Sequence, residues 1–244
     1  MNSSQNKALF VFIVLVAFVD GVLVTDHFYK TSPSSTSASE PVILEDIFDE
    51  KSPETSLDSP DPNPVEEDGI PFTTQAPLGM WESPWSDYAE EACVWMAMKW
   101  VNQEEFESIY NTADELKEIG AWEVKTFGTS ALTDIPQTLQ TILSYFGHQN
   151  AFLSGEVTEQ GMKDHLAAGA ILIVPVNGQL LDNPNYGDPA PEHHMILICG
   201  STETGFLTND PGTRRGEAVV YETQKILDAI QDLEGERIML VIQR

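Results

Sequence analysis

A histidine and an aspartate stand at the two ends of a predicted β-hairpin in the C-terminal half of the chain. His194 precedes the apolar run 195–200, Asp210 comes just after the run 205–208, and a Ser-Thr-Glu-Thr-Gly turn joins the two runs. Because both ends meet at the open end of a hairpin, we expect these two side chains to meet. A carboxylate beside an imidazole fixes one ring nitrogen as a donor and leaves the other free as a base. The alternative is a surface histidine and an aspartate that only begins the Asp-Pro-Gly turn.

A cysteine near the start of a predicted helix is the candidate nucleophile. Asp87 and Glu90 form an aspartate version of the capping box, which predicts that the helix begins at Asp87. A cysteine in the first turn of a helix has its thiolate stabilised by free N–H groups and by the helix dipole. Cys93 lies one turn beyond Ala89, about 6 Å further along the axis. The candidate thiol is therefore inside the helix and not at its start.

The elements that position these residues follow from the spacing of the apolar residues. Five helices are predicted, namely Asp87–Val101, Gln103–Ile119, Thr133–Phe146, Thr158–Ala168 and Thr223–Leu233. Five strands are predicted, namely Ile171–Val176, Met195–Gly200, Gly205–Thr208, Ala218–Tyr221 and Ile238–Ile242. Because most helices precede the strands, we expect an α+β domain with N-terminal helices packed on a C-terminal antiparallel sheet.

Three segments of the chain resemble the papain-like cysteine peptidases of cysteine-peptidase family 39, in the C39-like bacterial branch. They are residues 70–75, 84–96 and 194–216, and the most specific part is the block Thr-Asn-Asp-Pro-Gly-Thr-Arg-Arg-Gly at 208–216. The resemblance implies a papain-like fold over residues 70–244, with His194 as general base and Asp210 as the carboxylate that orients it. It also implies that Gln75 is a candidate oxyanion donor. The implied activity is thiol-dependent hydrolysis of a peptide or protein substrate.

The helix that would carry the nucleophile departs from the pattern of that family. The family's helix begins Cys-Glu-Glu, whereas this chain has Ala89, Glu90 and Glu91, so Ala89 takes the position of the nucleophile. Three explanations stay open. The domain has lost its nucleophile and is a peptide-binding or scaffold module, the sequence carries a cysteine-to-alanine change, or a different local backbone lets Cys93 serve. The first explanation describes a catalytically inactive homologue, because a methyl group cannot perform covalent acyl transfer.

Composition and charge restrict the partners. The chain has 39 acidic and 12 basic residues and a formal net charge of −27. This balance argues against nucleic acid as a partner, because phosphate binding needs clustered positive charge. The two cysteines, Cys93 and Cys199, exclude a disulfide framework and a four-cysteine zinc site. No cofactor or metal is expected, and the sequence does not indicate an oligomeric state.

Two further segments precede the predicted domain. Residues 8–24 are apolar except for Asp20 and follow Lys7, which predicts a signal peptide or a single-pass membrane anchor within residues 1–30. Residues 31–69 are rich in Ser, Pro and acidic residues and predict a disordered linker. We therefore expect the domain on the extracytoplasmic side of the cell membrane, or secreted if the first segment is cleaved.

Overall fold

A six-stranded antiparallel sheet is the central element of the computed structural model, which describes residues 69–244 apart from Glu234. Its strands are β1 (Ala151–Ser154), β2 (Ile171–Val176), β3 (His194–Ser201), β4 (Gly205–Asn209), β5 (Val219–Glu222) and β8 (Met239–Ile242). They lie in the order β1-β8-β2-β3-β4-β5, and β6 (Asp232–Leu233) and β7 (Glu236–Arg237) form a separate hairpin. The predicted anchor in residues 1–30 and the linker up to residue 68 lie outside the described residues.

Five α-helices surround this sheet. They are α1 (Ala89–Asn102), α2 (Ile109–Phe127), α3 (Ile135–Ser144), α4 (Glu159–Ala167) and α5 (Thr223–Ala229). Helices α1 and α3 cover one face of the sheet, α4 and α5 cover the other, and α2 packs on α1. Alternate residues of β2 therefore face opposite helices, with Ile173 toward α1 and Val174 toward α4 and α5. The predicted α+β class, with N-terminal helices packed on an antiparallel sheet, is confirmed.

The first helix begins two residues later than the capping box predicts. Residues 85–87 form a short 3₁₀ turn, and Tyr88 is the N-cap of α1 without a side-chain capping hydrogen bond. The carboxylate of Asp87 instead accepts hydrogen bonds from the hydroxyls of Ser83 and Ser86. The helix start predicted at Asp87 is therefore wrong, and Ala89 is the first residue of α1.

The second helix lies further along the chain than the apolar spacing predicts. Gln103 ends α1 with a φ of 58°, a left-handed conformation that a continuing helix cannot use. Ser108 then caps α2 by accepting a hydrogen bond from the backbone N–H of Asn111. The predicted start at Gln103 is wrong because these two caps separate the helices.

The five predicted strands agree with the structure to within one residue at each end. No pattern predicts β1, because it is an edge strand in which only Ala151 is buried and Phe152 is exposed.

The fifth helix, predicted over Thr223–Leu233, is shorter in the structure than the prediction. It ends at Ala229 because Ile230 is extended and forms a bridge with Val176.

Two carboxyl groups are buried together where α1 meets α2. Glu91 is fully buried and Glu123 is 1% exposed, and Oε1 of Glu123 accepts a hydrogen bond of 2.9 Å from the hydroxyl of Thr141. Burial and the neighbouring Glu123 raise the pKa of Glu91 well above its ordinary value. Burial also raises the pKa of Glu123. Two adjacent carboxyl groups in an apolar site do not both ionise, so Glu91 holds a proton at neutral pH.

We expect Glu91→Gln to stabilise the protein above neutral pH. A carboxyl whose pKa is raised by folding contributes its full stability below the unfolded pKa, and that contribution is lost as pH rises toward the folded pKa. An amide of the same shape has no proton to lose. The variant should therefore gain roughly 1–3 kcal/mol of unfolding free energy at pH 8, and much less at pH 4. Urea denaturation at the two pH values measures the difference.

Glu118→Gln is the matched control, because Glu118 is an exposed carboxylate on α2. Its unfolding free energy should change little at either pH. A Glu91→Gln protein that is less stable than the wild type at pH 8 would contradict the assignment of a buried, protonated Glu91.

Candidate active site

His194 and Asp210 lie in direct contact at the open end of the β3–β4 hairpin. His194 is the first residue of β3, and Asp210 follows the last residue of β4. Nε2 of His194 lies 2.7 Å from Oδ1 of Asp210, and the two side chains are 2% and 0% exposed. The contact that the spacing predicts is therefore present in the fold. Since Asp210 holds Nε2, the other ring nitrogen, Nδ1, is left for a reacting group.

Three side chains that the sequence analysis did not identify surround the second oxygen of this carboxylate. Oδ2 of Asp210 accepts hydrogen bonds from the hydroxyl of Tyr186 at 2.5 Å and from the hydroxyl of Tyr221 at 2.6 Å. The side-chain amide of Asn183 adds a third donor at 3.3 Å. Tyr221 belongs to β5, whereas Asn183 and Tyr186 belong to the loop between β2 and β3. No local pattern connects these positions, because only the folded sheet and its loop bring them together.

The electrostatic balance at Asp210 favours the ionised form. Burial opposes ionisation, but the adjacent His194 and the hydroxyls of Tyr186 and Tyr221 outweigh it, so the pKa of Asp210 is lower than its ordinary value. Burial and the same carboxylate raise the pKa of both tyrosines. The two hydroxyl groups therefore remain protonated and donate to Asp210 at neutral pH.

The loop after Asp210 covers the imidazole. The backbone N–H of Gly212 donates to Oδ1 of Asp210 at 3.0 Å, and a Cβ at Gly212 would lie 2.9 Å from two atoms of the His194 ring. The ring of Tyr186 packs edge-on against His194, with ring centres 5.6 Å apart. A residue larger than glycine at position 212 would push the imidazole away from Asp210. The loop after Asp210 and the loop before β3 thus hold the ring from two sides.

The candidate thiol is buried and protonated. Sγ of Cys93 is fully buried and donates a hydrogen bond of 3.4 Å to the carbonyl of Met195. Burial and the carboxyl groups of Glu90 and Asp210 raise the pKa of Cys93 well above its ordinary value. Ala89, one turn earlier and in the same apolar cluster, is the first residue of α1. A methyl group therefore occupies the helix start, where the dipole would favour a thiolate, and the nucleophilic role of Cys93 stays a prediction.

Gln75 forms hydrogen bonds to the segment that leads into α1. Its Nε2 donates to the carbonyls of Trp85 and Ser86, each at 2.9 Å, and its backbone N–H donates to the carbonyl of Pro211 at 3.0 Å. Both amide hydrogens are engaged, so an oxyanion would have to displace one of these carbonyls. Gln75 ties the start of α1 to the loop after Asp210, and its role as an oxyanion donor stays a prediction.

We expect Tyr186→Phe and Tyr221→Phe each to destabilise the protein by about 1–2 kcal/mol at pH 7, because each removes a donor to a buried carboxylate. Folding lowers the pKa of Asp210 below its ordinary value of 3.8. The ionised carboxylate therefore contributes stability above that pH, and the contribution is lost as pH falls through the folded pKa. The effect of either substitution should shrink near pH 2, and urea denaturation at the two pH values tests this.

Tyr110→Phe is the control, because Tyr110 is 70% exposed on α2. It should change the unfolding free energy by less than about 0.5 kcal/mol. If the two buried substitutions cost no more than Tyr110→Phe at pH 7, then the hydrogen bonds to Asp210 do not support the dyad.

The fold has a counterpart among solved structures. A crystal structure of a protein described as a C39-like peptidase from Bacillus anthracis matches this chain with a TM-score of 0.50 and 14% sequence identity. The match covers 72% of this chain and 96% of that chain. No protein-family model and no curated protein matches the sequence. The described domain therefore shares its fold with that C39-like peptidase.

Proposed function

We propose that this domain recognises peptide or protein segments in a peptidase-type site centred on His194 and Asp210. The observation that carries the proposal is the support of Asp210, whose fully buried carboxylate accepts hydrogen bonds from five groups, His194 among them. An ionised carboxylate is buried at a cost of several kcal/mol unless it is paired and hydrogen-bonded. An imidazole held in this way is suited to act as a base. The likeness in fold to a C39-like peptidase supports the same class of ligand.

Thiol-dependent hydrolysis through Cys93 is one form of this function. Nδ1 of His194 would take the thiol proton, and the thiolate would attack the substrate carbonyl. His194 would then give that proton to the leaving amine, and water would hydrolyse the acyl-enzyme. The support for this form is that Cys93 contacts Met195, the residue after His194. It requires α1 to move, because the thiol is fully buried and holds its proton.

Recognition without hydrolysis is the other form, and Ala89 favours it. Ala89 occupies the first residue of α1 and cannot form a covalent intermediate. A pocket lined by His194 also supplies room for part of a bound segment. These two observations are the support for recognition without hydrolysis.

Thiol reactivity in the full-length protein distinguishes the two forms. We expect Cys93 and Cys199 to react slowly with iodoacetamide at pH 7.5, since burial raises the pKa of both thiols, that of Cys199 to about 12. Ala89→Cys should introduce a thiol that reacts at least about tenfold faster, because the first turn of a helix favours the thiolate. His194→Gln in that background should slow the added thiol. Mass spectrometry of the labelled peptides assigns each rate.

Ala121→Cys is the matched control, because Ala121 is an exposed alanine within α2. Its thiol should react at the rate of an ordinary exposed cysteine, and His194→Gln should not change that rate. Suppose that Cys93 of the wild type is labelled rapidly and that Cys93→Ser abolishes hydrolysis of a fluorogenic casein substrate. The domain would then be a thiol peptidase, and recognition without hydrolysis would be wrong.

We also propose that the domain is displayed or secreted outside the cytoplasm. The support is the apolar segment 8–24, which lies outside the described residues. Among the residues that the structure describes, no helix has the length and hydrophobicity to span a bilayer. The proposal of export therefore rests on residues 1–30 and not on the fold of the described domain.

Export is tested with the full-length chain expressed in bacterial cells with a C-terminal tag. We expect protease added to spheroplasts to remove the tag, because residues 8–24 direct the following chain across the membrane. Deletion of residues 1–30 should leave the tag protected. A tag on the full-length chain that stays protected would contradict export. Resistance of the exported protein to carbonate extraction would distinguish an anchor from a cleaved signal peptide.

A further inference from the structure

A pocket opens beside His194, between the starts of α1, α3 and β3. Its wall is formed by Glu90 of α1, residues 132–135 at the start of α3, Pro175 of β2, His193 with His194, and Gln231. His194, the proposed general base, therefore lines this pocket. A peptide bound against His194 would place a side chain or a terminus at the opening of the pocket.

A carboxyl group with no partner from another residue lines this pocket. Glu90 is 7% exposed, and within the described part of the chain no hydrogen bond joins its carboxyl to another residue. Burial, with smaller contributions from Glu123 and Asp87, raises the pKa of Glu90 to about 8. Glu90 is thus a neutral carboxylic acid at pH 7. Buried polar groups normally have partners within the protein, and one without them is typical of a ligand site.

The wall at the start of α3 has two further features of a binding site. Thr133 is 3% exposed, and its hydroxyl has no hydrogen-bond partner among the described residues. Leu132 is 60% exposed and has a φ of 56°, a left-handed conformation that is unfavourable for a leucine. Strained backbone and unsatisfied polar groups occur together most often where a protein holds a ligand.

We propose that this pocket binds a positively charged group of the recognised peptide, either a lysine or arginine side chain or a free amino terminus, with Glu90 as its counterion. The inference rests on the proposed recognition of peptides and names the group that is recognised. An ammonium or guanidinium group supplies hydrogen-bond donors to Glu90 and to the hydroxyl of Thr133. It also restores the charge of Glu90, because a cation in contact with a carboxyl favours the ionised form.

The acidic groups around the pocket favour a cation over an anion. The titratable groups that line the pocket or face Glu90 are four acids, one thiol and two histidines. They are Asp87 in the 3₁₀ turn before α1, Glu91 and Cys93 on α1, Glu123 on α2, Asp134 as the N-cap of α3, and His193 with His194 where β3 begins. Glu91 and Cys93 hold their protons and add no charge. The whole chain has a net charge of −27, so its field attracts cationic peptides and repels acidic ones.

Cation binding is coupled to release of a proton. Glu90 is protonated at pH 7 in the free protein, since its pKa is about 8, and it is ionised when it holds a cation. Binding at pH 7 should therefore release about one proton, and affinity for the cation should rise with pH until about pH 8. A cation that binds only to exposed carboxylates would release no proton, because these groups are already ionised at pH 7.

Calorimetry on the full-length protein with three pentapeptides tests the proposal. The first is acetyl-Ala-Ala-Lys-Ala-Ala-amide, the second has norleucine in place of lysine, and the third is the norleucine peptide with a free amino terminus. Titrations at pH 7 in phosphate and in Tris separate proton release from binding, because the ionisation enthalpies of the two buffers differ. We expect at least one of the two cationic peptides to bind about tenfold or more tightly than the uncharged one, with release of a proton. The tighter of the two identifies the side chain or the terminus as the source of the charge.

Two variants and one control assign the effect to the pocket. Glu90→Gln should remove both the preference for the cation and the release of a proton, and Thr133→Val should weaken the preference without abolishing proton release. Glu203→Gln is the control, because Glu203 is an exposed carboxylate in the turn between β3 and β4. It should leave both readouts unchanged. Circular dichroism of each variant shows whether the fold is retained.

The outcomes separate this inference from the proposed function. If all three peptides bind with equal affinity, recognition of peptides stands and the cation pocket is wrong. If a cationic peptide binds tightly but Glu90→Gln keeps both the preference and the proton release, the cation binds elsewhere and the assignment to Glu90 is wrong. If none of the peptides binds, the proposed recognition of peptides is contradicted together with the pocket.

Discussion

The burial of an ionised Asp210 is the constraint on which the functional end of this domain depends. A carboxylate inside a protein is stable only when donors surround it. The donors to Asp210 come from β3, from β5, from the loop before β3 and from the loop after β4. These four segments must therefore meet before the charge can be buried. The same hydrogen bonds orient the imidazole of His194, so the interaction that closes this end of the sheet also fixes the position of this ring.

On the helical side of the site the acidic groups are protonated, in contrast to the ionised Asp210 on the sheet side. Glu90, Glu91 and Cys93 lie in the first turns of α1, and burial raises the pKa of all three side chains. The reason is that α1 is enclosed between the sheet on one side and α2 on the other, which removes water from its surface. The ionised Asp210 on the sheet side of the site thus contrasts with a helix whose acids and thiol hold their protons. The first turns of α1 therefore carry neutral carboxyl groups and a protonated thiol.

The likeness to a C39-like peptidase concerns the fold, and the chemistry depends on single side chains. In this chain the contact between His194 and Asp210 is present while position 89 carries a methyl group. The hydrogen bonds of Asp210 hold this pair in place independently of the residue at position 89. Removing either partner would leave a buried group uncompensated, which costs more than the loss of one contact. The contact between His194 and Asp210 therefore has a structural reason of its own.

The sequence by itself determined the features that depend on neighbouring residues. Strands buried on both faces appear as continuous apolar runs, so β2 and β3 could be placed to within one residue. A hairpin brings its two ends together, so the contact of His194 with Asp210 could be predicted from their spacing.

The tertiary structure decided the rest. It recruited Asn183, Tyr186 and Tyr221 from separate segments to one carboxylate oxygen. It also moved the start of α1 to Ala89, because Asp87 pairs with nearby serines. The pKa of Glu90 depends on burial by elements far away in the chain, and residue order alone carries no measure of burial.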